Sequence, residues 1–209
     1  ATGDMNSCTP IINDFVAKEV DLIMANATPA VQAAAAATAD IPVLGTSVTE
    51  YGVALNLKDF DGLVGGNVSG TSDLAPLEKQ ADMLLEWFPE AKNVGMLYCS
   101  AEANSRYQVD VVKAYLEGKG VTVKEFAFSS TADLAAVTER AASESDVIYV
   151  PTDNTVANGA KLVGEICRDK KVPVIAGEEG ICAGCGVATG CGVGFASCGG
   201  VDGTCAGVG

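Results

Sequence analysis

Two short polar corners carry the residues of this chain best placed to do chemistry. Asn26-Ala27-Thr28-Pro29 follows Asp21 and the apolar run Leu22-Ile23-Met24-Ala25. Pro151-Thr152-Asp153-Asn154 follows Asp146 and the apolar run Val147-Ile148-Tyr149-Val150. A helix-like stretch comes after each. A short buried strand feeding a helix through a polar corner reads as a βα unit of a parallel sheet, and ligands of such sheets bind outside the carboxyl ends of the strands. The chemistry on offer is recognition rather than bond-making. The chain has no His, no G-x-S-x-G, no G-x-x-x-x-G-K and no G-x-G-x-x-G after a strand, and a Cys nucleophile would lack its usual His base. Asp153 stands out, because a carboxylate at a strand's carboxyl end is not something the fold itself requires.

The elements that must position these corners also recur. Residues 9–18 before the first corner and 129–142 before the second read as helices opened by Ser, Thr or Asp. After the corners, Ile41-Pro42-Val43-Leu44-Gly45 is matched by Val172-Pro173-Val174-Ile175-Ala176-Gly177. Each is a strand entered through Pro and left through Gly. Two similar lobes are expected, each offering a corner to one cleft. The second copy is preceded by a strand over 92–98, a helix over 103–119 and an alternating strand over 121–128. The first copy has nothing comparable, so lobe one reads as incomplete at its N-terminus, with an edge and a face left uncovered. Residues 57–71 are Gly-rich and polar and read as the loop crossing between lobes, a hinge for closure around a ligand. Ser72 or Asp73 is expected to cap a helix over 77–88. The expected domains are a partial lobe one over 1–71, lobe two over 72–176, and a crossing segment with an off-pattern tail over 177–209.

The chain has 209 residues and a formal net charge of −14. A nucleic-acid partner needs a basic surface, so none is expected. The charge suits a soluble protein kept apart from its copies. No run approaches the roughly 18 apolar residues of a membrane span, and no signal peptide is present. Of eight Cys, only Cys182-x-x-Cys185 has zinc-knuckle spacing. No second C-x-x-C follows it, and no metal is expected. Half of the 24 glycines fall within 177–209. After Thr189 the composition suits neither helix nor strand. A shifted reading frame is preferred there over disorder or a linker.

NATPAVQAAAAAT, IPVLGTSVTE, GNVSGTSDLAPLEKQ, VGMLYCSAEANS, DVIYVPTDNTVA and VPVIAGEEG, in that order, resemble the substrate-binding components of bacterial ABC importers. The subfamily they resemble is the tryptophan-type one, proposed to bind aromatic or branched amino acids. The resemblance runs from about residue 3 to Thr189. It implies an α/β fold of two Rossmann-like lobes of the periplasmic-binding-protein type. It further implies a small amino acid held between the lobes and delivered to a membrane permease, in an extracytoplasmic, lipoprotein-tethered monomer with no enzymatic activity and no cofactor. The family has a further βα unit before residue 1 and a return to lobe one after Thr189, so lobe one is expected to lack both. The alternative is the effector-binding domain of a transcription regulator, which shares the bilobal fold. It would need a basic helix-turn-helix upstream.

The ligand implied by this resemblance brings a carboxylate and an ammonium. Helix N-termini and hydroxyls suit the carboxylate, so Ala27 and Thr28 are expected to take it, with Ser47 and Thr49 as further donors. A carboxylate suits the ammonium best, with Asp153 first and Glu178 second. Asn104, Ser105 and Asn154 are expected to fix orientation, with Ser72 and Asp73 as further contacts at the hinge.

Overall fold

The computed structural model of the protein describes residues 5–185 and 192–194. It divides into two compact units, the chain passing from one to the other between Leu74 and Ala75.

The first unit holds α1 (Cys8–Ala17), β1 (Ile23–Asn26), α2 (Thr28–Ala37), β2 (Val43–Val48), α3 (Tyr51–Ala54) and β3 (Val68–Ser72). Its three strands are parallel in the order β1-β2-β3. Alternation along the strands divides the sheet into two faces. Ile23, Ala25, Val43 and Val68 pack against Ile12 of α1, Val31 and Ala34 of α2, and Tyr51 and Ala54 of α3. The other face carries Met24, 70 % exposed, beside its register partner Leu44. β3 begins inside the stretch 57–71 expected to be a loop and ends one residue beyond it. Its glycine is what seats it. Gly70 pairs with Gly45, and a Cβ on Gly70 would stand 2.1 Å from the Gly45 carbonyl oxygen and 2.2 Å from the Tyr51 hydroxyl. The close approach of the two backbones therefore requires the residue that usually argues against a strand.

The second unit holds α4 (Leu77–Trp87), β4 (Asn93–Cys99), α5 (Ala103–Gly118), β5 (Thr122–Phe128), α6 (Leu134–Glu144), β6 (Val147–Val150), α7 (Asn154–Asn158), α8 (Ala160–Lys170), β7 (Val174–Ala176), α9 (Glu179–Gly184) and β8 (Gly192–Gly194). Its parallel sheet has the order β5-β4-β6-β7-β8. Both faces are covered, which explains the continuous apolar runs of β4 and β6. Val94, Met96, Tyr98, Val147, Tyr149 and Ile175 face α4 and α5. Leu97, Cys99, Ile148, Val150, Val174 and Ala176 face the layer built by α6 to α9. Each fully buried Leu, Ile or Val contributes about 1.5–3 kcal/mol of transfer free energy, so these two layers dominate the unit's cohesion.

The internal repeat holds down to strand register. Ile23 pairs with Val43 in the first sheet, and their counterparts Ile148 and Val174 pair in the second. The next strand joins on the same side in each, as β3 beside β2 and β8 beside β7. The twin caps repeat too. Glu50 accepts from the N–H groups of Gly52 and Val53 at the start of α3, and Glu178 from those of Gly180 and Ile181 at the start of α9.

Other expectations give way. α4 starts after Pro76 with no side-chain cap, because Ser72 is the last residue of β3 and its hydroxyl donates to the Thr49 carbonyl at 2.8 Å. Residues 178–185 do not cross between units. Ile181 and Cys185 bury α9 in the second unit's own core. β8 falls where glycine content argued against a strand, and pairing with β7 wins. The rest of the Gly/Cys tail lies outside the described residues.

Candidate functional site

The strand order places a switch point in the second unit. From β4 the chain moves to β5 on one side, then returns to β6 on the other, so the corners after β4 and β6 open side by side. A crevice at such a point, outside the carboxyl ends of the strands, is where open α/β sheets bind ligands.

Two buried carboxylates tie these corners together. Asp153 is 1 % exposed. Its Oδ1 accepts from the Val156 N–H at 2.8 Å and so caps α7. Its Oδ2 accepts from the Cys99 N–H and the Ser105 hydroxyl, both at 2.7 Å. Glu102, also 1 % exposed, reaches the opposite way. Its Oε1 accepts from the N–H and hydroxyl of Thr155, at 2.8 and 2.7 Å. Its Oε2 accepts from the N–H and side-chain amide of Asn154, at 3.0 and 2.7 Å. Glu102 thus satisfies the orphan donors at the start of α7, while Asp153 caps α7 as well and takes from the first corner the strand-end amide of Cys99 and the Ser105 hydroxyl. Both oxygens of Asp153 are engaged within the unit. Burial first, and the Glu102 charge second, push the Asp153 carboxyl up to about 6, against the pull of its three donors.

Asn104, in the first turn of α5, is held in one orientation. Its Nδ2 faces the Thr152 carbonyl at 3.0 Å, Glu102 Oε2 at 3.2 Å and Ser105 Oγ at 3.4 Å. Its Oδ1 is buried and has no partner among the described residues. Two other buried polar atoms share that state. Ser145 Oγ lies at the amino end of β6. Arg106 Nε belongs to a guanidinium already bonded to Glu125, Asp110 and Tyr98. Asn104 Oδ1 alone is an unpaired acceptor at the switch point, and leaving it so costs about 1–3 kcal/mol. Gln108, fully buried, completes the frame. Its Oε1 accepts from the Thr152 N–H at 3.0 Å, and its Nε2 donates to the Thr152 carbonyl at 3.1 Å. Asn104, Ser105 and Asn154, expected from the sequence, stand together here with Glu102 and Gln108, which were not among the expected residues. The signal for Glu102 was a carboxylate directly before a helix whose first residue, Ala103, cannot cap.

Glu178 follows β7, the sheet neighbour of β6. Its carboxylate caps α9, and a ligand ammonium would compete with the Gly180 and Ile181 N–H groups for it.

The first unit offers a different edge. Ala27, the N-cap of α2, has φ 73 and ψ 157, a region otherwise kept for glycine, and no side chain caps the helix it starts. Thr28 is buried at that start. Ser47 also has positive φ, 54, where the β2–β3 register shifts between Gly45 and Val48. Strain of this kind gathers at ligand clamps. The Thr49 carbonyl is taken by Ser72. Asp73 donates its N–H to the Val48 carbonyl, and partial burial raises its carboxyl above the ordinary value.

Among the described residues no group of three or more His, Cys, Asp or Glu is placed to hold a metal ion. Cys182 and Cys185 belong to the same core as Cys167. Burial pushes the Cys167 and Cys185 thiols up to about 12 and about 11, which makes them inert packing groups.

Residues 1–196 match the family described as ABC transporter substrate binding protein. A curated tyrosine-binding protein of Clostridioides difficile is 37 % identical over 180 residues, which are 86 % of this chain and 52 % of that protein. The chain thus spans about half the length of this relative. A Streptococcus pneumoniae ABC domain solved in complex with L-Trp superposes with a TM-score of 0.83 at 34 % identity, covering 93 % of this chain and 66 % of that one. A conserved domain protein from Vibrio cholerae gives 0.82 at 30 % identity, over 93 % of this chain and 64 % of that one.

Proposed function

The chain belongs to the family of ABC transporter substrate-binding proteins, and we propose that it captures a small amino acid, aromatic or branched, for delivery to a membrane permease. The observation that carries the ligand class is Asn104 Oδ1, a buried acceptor without a partner at the switch point of the second sheet. An α-ammonium supplies the donor it lacks. The first unit has groups suited to a carboxylate, where α2 starts without a side-chain cap on a strained Ala27, with Thr28 and Ser47 as hydroxyl donors. A tyrosine-binding relative and one solved with L-Trp favour an aromatic side chain.

Asp153 and Glu178 take a supporting part, holding corners rather than the ligand, and Ser105 and Asn154 hold the carboxylates that brace Asn104. The protein works outside the cytoplasmic membrane, tethered as a lipoprotein, as a monomer without enzymatic activity. No helix among the described residues is long and apolar enough to cross a membrane.

A bound ligand raises apparent stability by mass action, so thermal shift against L-tyrosine, L-tryptophan and L-leucine tests the reading. One or more should raise the melting temperature in a dose-dependent way. Asn104→Ala should weaken that ligand about tenfold or more, as expected for a lost hydrogen bond to a charged group. No response to any amino acid would overturn the reading. A response that Asn104→Ala leaves intact would move the ammonium site elsewhere.

A further inference from the structure

Glu102 is not itself assigned to the ligand, yet it touches Asn104 and decides what Asn104 can offer one. An asparagine amide is donor on one side and acceptor on the other. At Asn104 all three polar neighbours of Nδ2 are acceptors: the Glu102 carboxylate, the Thr152 carbonyl and the Ser105 hydroxyl oxygen. The serine hydroxyl is committed as an acceptor here, because its own hydrogen goes to Asp153. Turning the amide over would set Oδ1 against a carboxylate and a carbonyl at hydrogen-bond distance. The orientation is therefore fixed electrostatically, and Oδ1 is the side left over. Asn104 is 4 % exposed, so water does not readily serve it.

We infer that Glu102 is a positioning residue that sets the ligand class. By locking the Asn104 amide it keeps an acceptor at the switch point, and so requires a ligand that donates there. The inference rests on the amino-acid reading above and deepens it. An α-ammonium meets the requirement, whereas an acid of the same shape without the amine leaves Oδ1 unpaired. Sites built around a hydrogen bond reject the analogue that lacks it far more strongly than apolar pockets reject a missing methylene.

The test substitution is Glu102→Gln. Its shape is unchanged, but one of its two heads becomes a donor. If that head faces Asn104, the amide turns over and offers NH2. If it faces Thr155, the cross-cap opens. The probes are L-tyrosine, L-tryptophan and L-leucine against their des-amino acids, by calorimetry. Wild type should prefer the amino acid by on the order of 100-fold or more. Glu102→Gln should cut that ratio at least tenfold, mainly through weaker amino-acid binding, while the des-amino acid changes little. With Asn104→Leu in place, Glu102→Gln should leave the ratio unchanged, since coupled residues lose their joint effect together. Ser105→Ala removes a second acceptor without touching charge, and should lower the ratio in the same direction even if Glu102→Gln fails to fold.

A structural readout needs no ligand. The Asn104 side-chain NH2 resonances, assigned by their loss in Asn104→Leu, should be slow to exchange in wild type and shifted in Glu102→Gln or Ser105→Ala. Unmoved resonances together with an unmoved ratio would overturn the inference. Absence of any amino-acid binding in wild type would instead overturn the reading beneath it, while the resonances still test the lock itself.

Discussion

At the scale of the residue, Asp153 has more partners within the unit than its place in the sequence predicts. Its position at a strand's carboxyl end suggested a free charge. Instead its oxygens serve Cys99, Ser105 and Val156, in two corners of the chain. Asp153→Ala should therefore destabilise the second unit by on the order of 3 kcal/mol, because several buried donors lose their acceptor together. Urea unfolding checks this. A loss under about 1 kcal/mol would return Asp153 to the role of a ligand contact with spare capacity. Asn104 and Ser105 were expected from their place after a strand. Glu102 was not, because nothing in Ser100-Ala101-Glu102-Ala103 says that its partners are Asn154 and Thr155. Side-chain partners far apart in sequence are set by strand order, which local patterns do not encode.

At the scale of the element, the strands β1, β2, β4, β6 and β7 were all legible, because buried parallel strands read as apolar runs between polar or Pro/Gly ends. β3 was hidden, since Gly65, Gly66 and Gly70 read as loop while Gly70 serves a close backbone approach. Gly70→Ala should unfold or grossly destabilise the first unit, by about 3 kcal/mol or more, through collision with the Gly45 carbonyl and the Tyr51 hydroxyl. Ala27→Gly should do the reverse. The strained dihedrals cost Ala27 of order 1–3 kcal/mol, of which glycine recovers a part, so a gain of about 1 kcal/mol is expected in chemical denaturation. A loss of stability on Ala27→Gly would mean that the methyl group packs more than its backbone strains.

For the whole molecule, the acidic balance makes a prediction about pH whose sign depends on two groups. The Asp153 carboxyl lies at about 6 in the folded protein against an ordinary 3.8. The folded state therefore binds this proton more tightly. The group's contribution is complete below pH 3.8 and is lost as pH rises through 6. The Glu125 carboxyl, held by Arg106 first and also by Lys113 and Tyr98, falls from 4.5 to about 2. Its contribution is complete above 4.5 and is lost as pH falls through 2. Between pH 6 and 4.5 the first gain grows while the second stands undiminished. Relief of self-repulsion from a net charge of −14 acts in the same direction. Urea midpoints should rise as pH is lowered from 7 to about 5, then fall at lower pH. A monotonic fall from pH 7 downward would refute the assignment.

The carboxylate cross-cap has a temporal side as well. Its bonds join residues 48 to 54 positions apart, such as Ser105 with Asp153 and Cys99 with Asp153. Closing a loop of that length costs roughly 3 kcal/mol of chain entropy. During synthesis, β4 and the start of α5 leave the ribosome well before α7 exists, and at about 5–20 residues per second Glu102 waits several seconds for its partners. In that interval it is a hydrated charge beside an unfinished sheet. The carboxylate frame of the second unit is thus not carried by α5 into the fold; it comes into being only once β6 lies beside β4 and α7 has started.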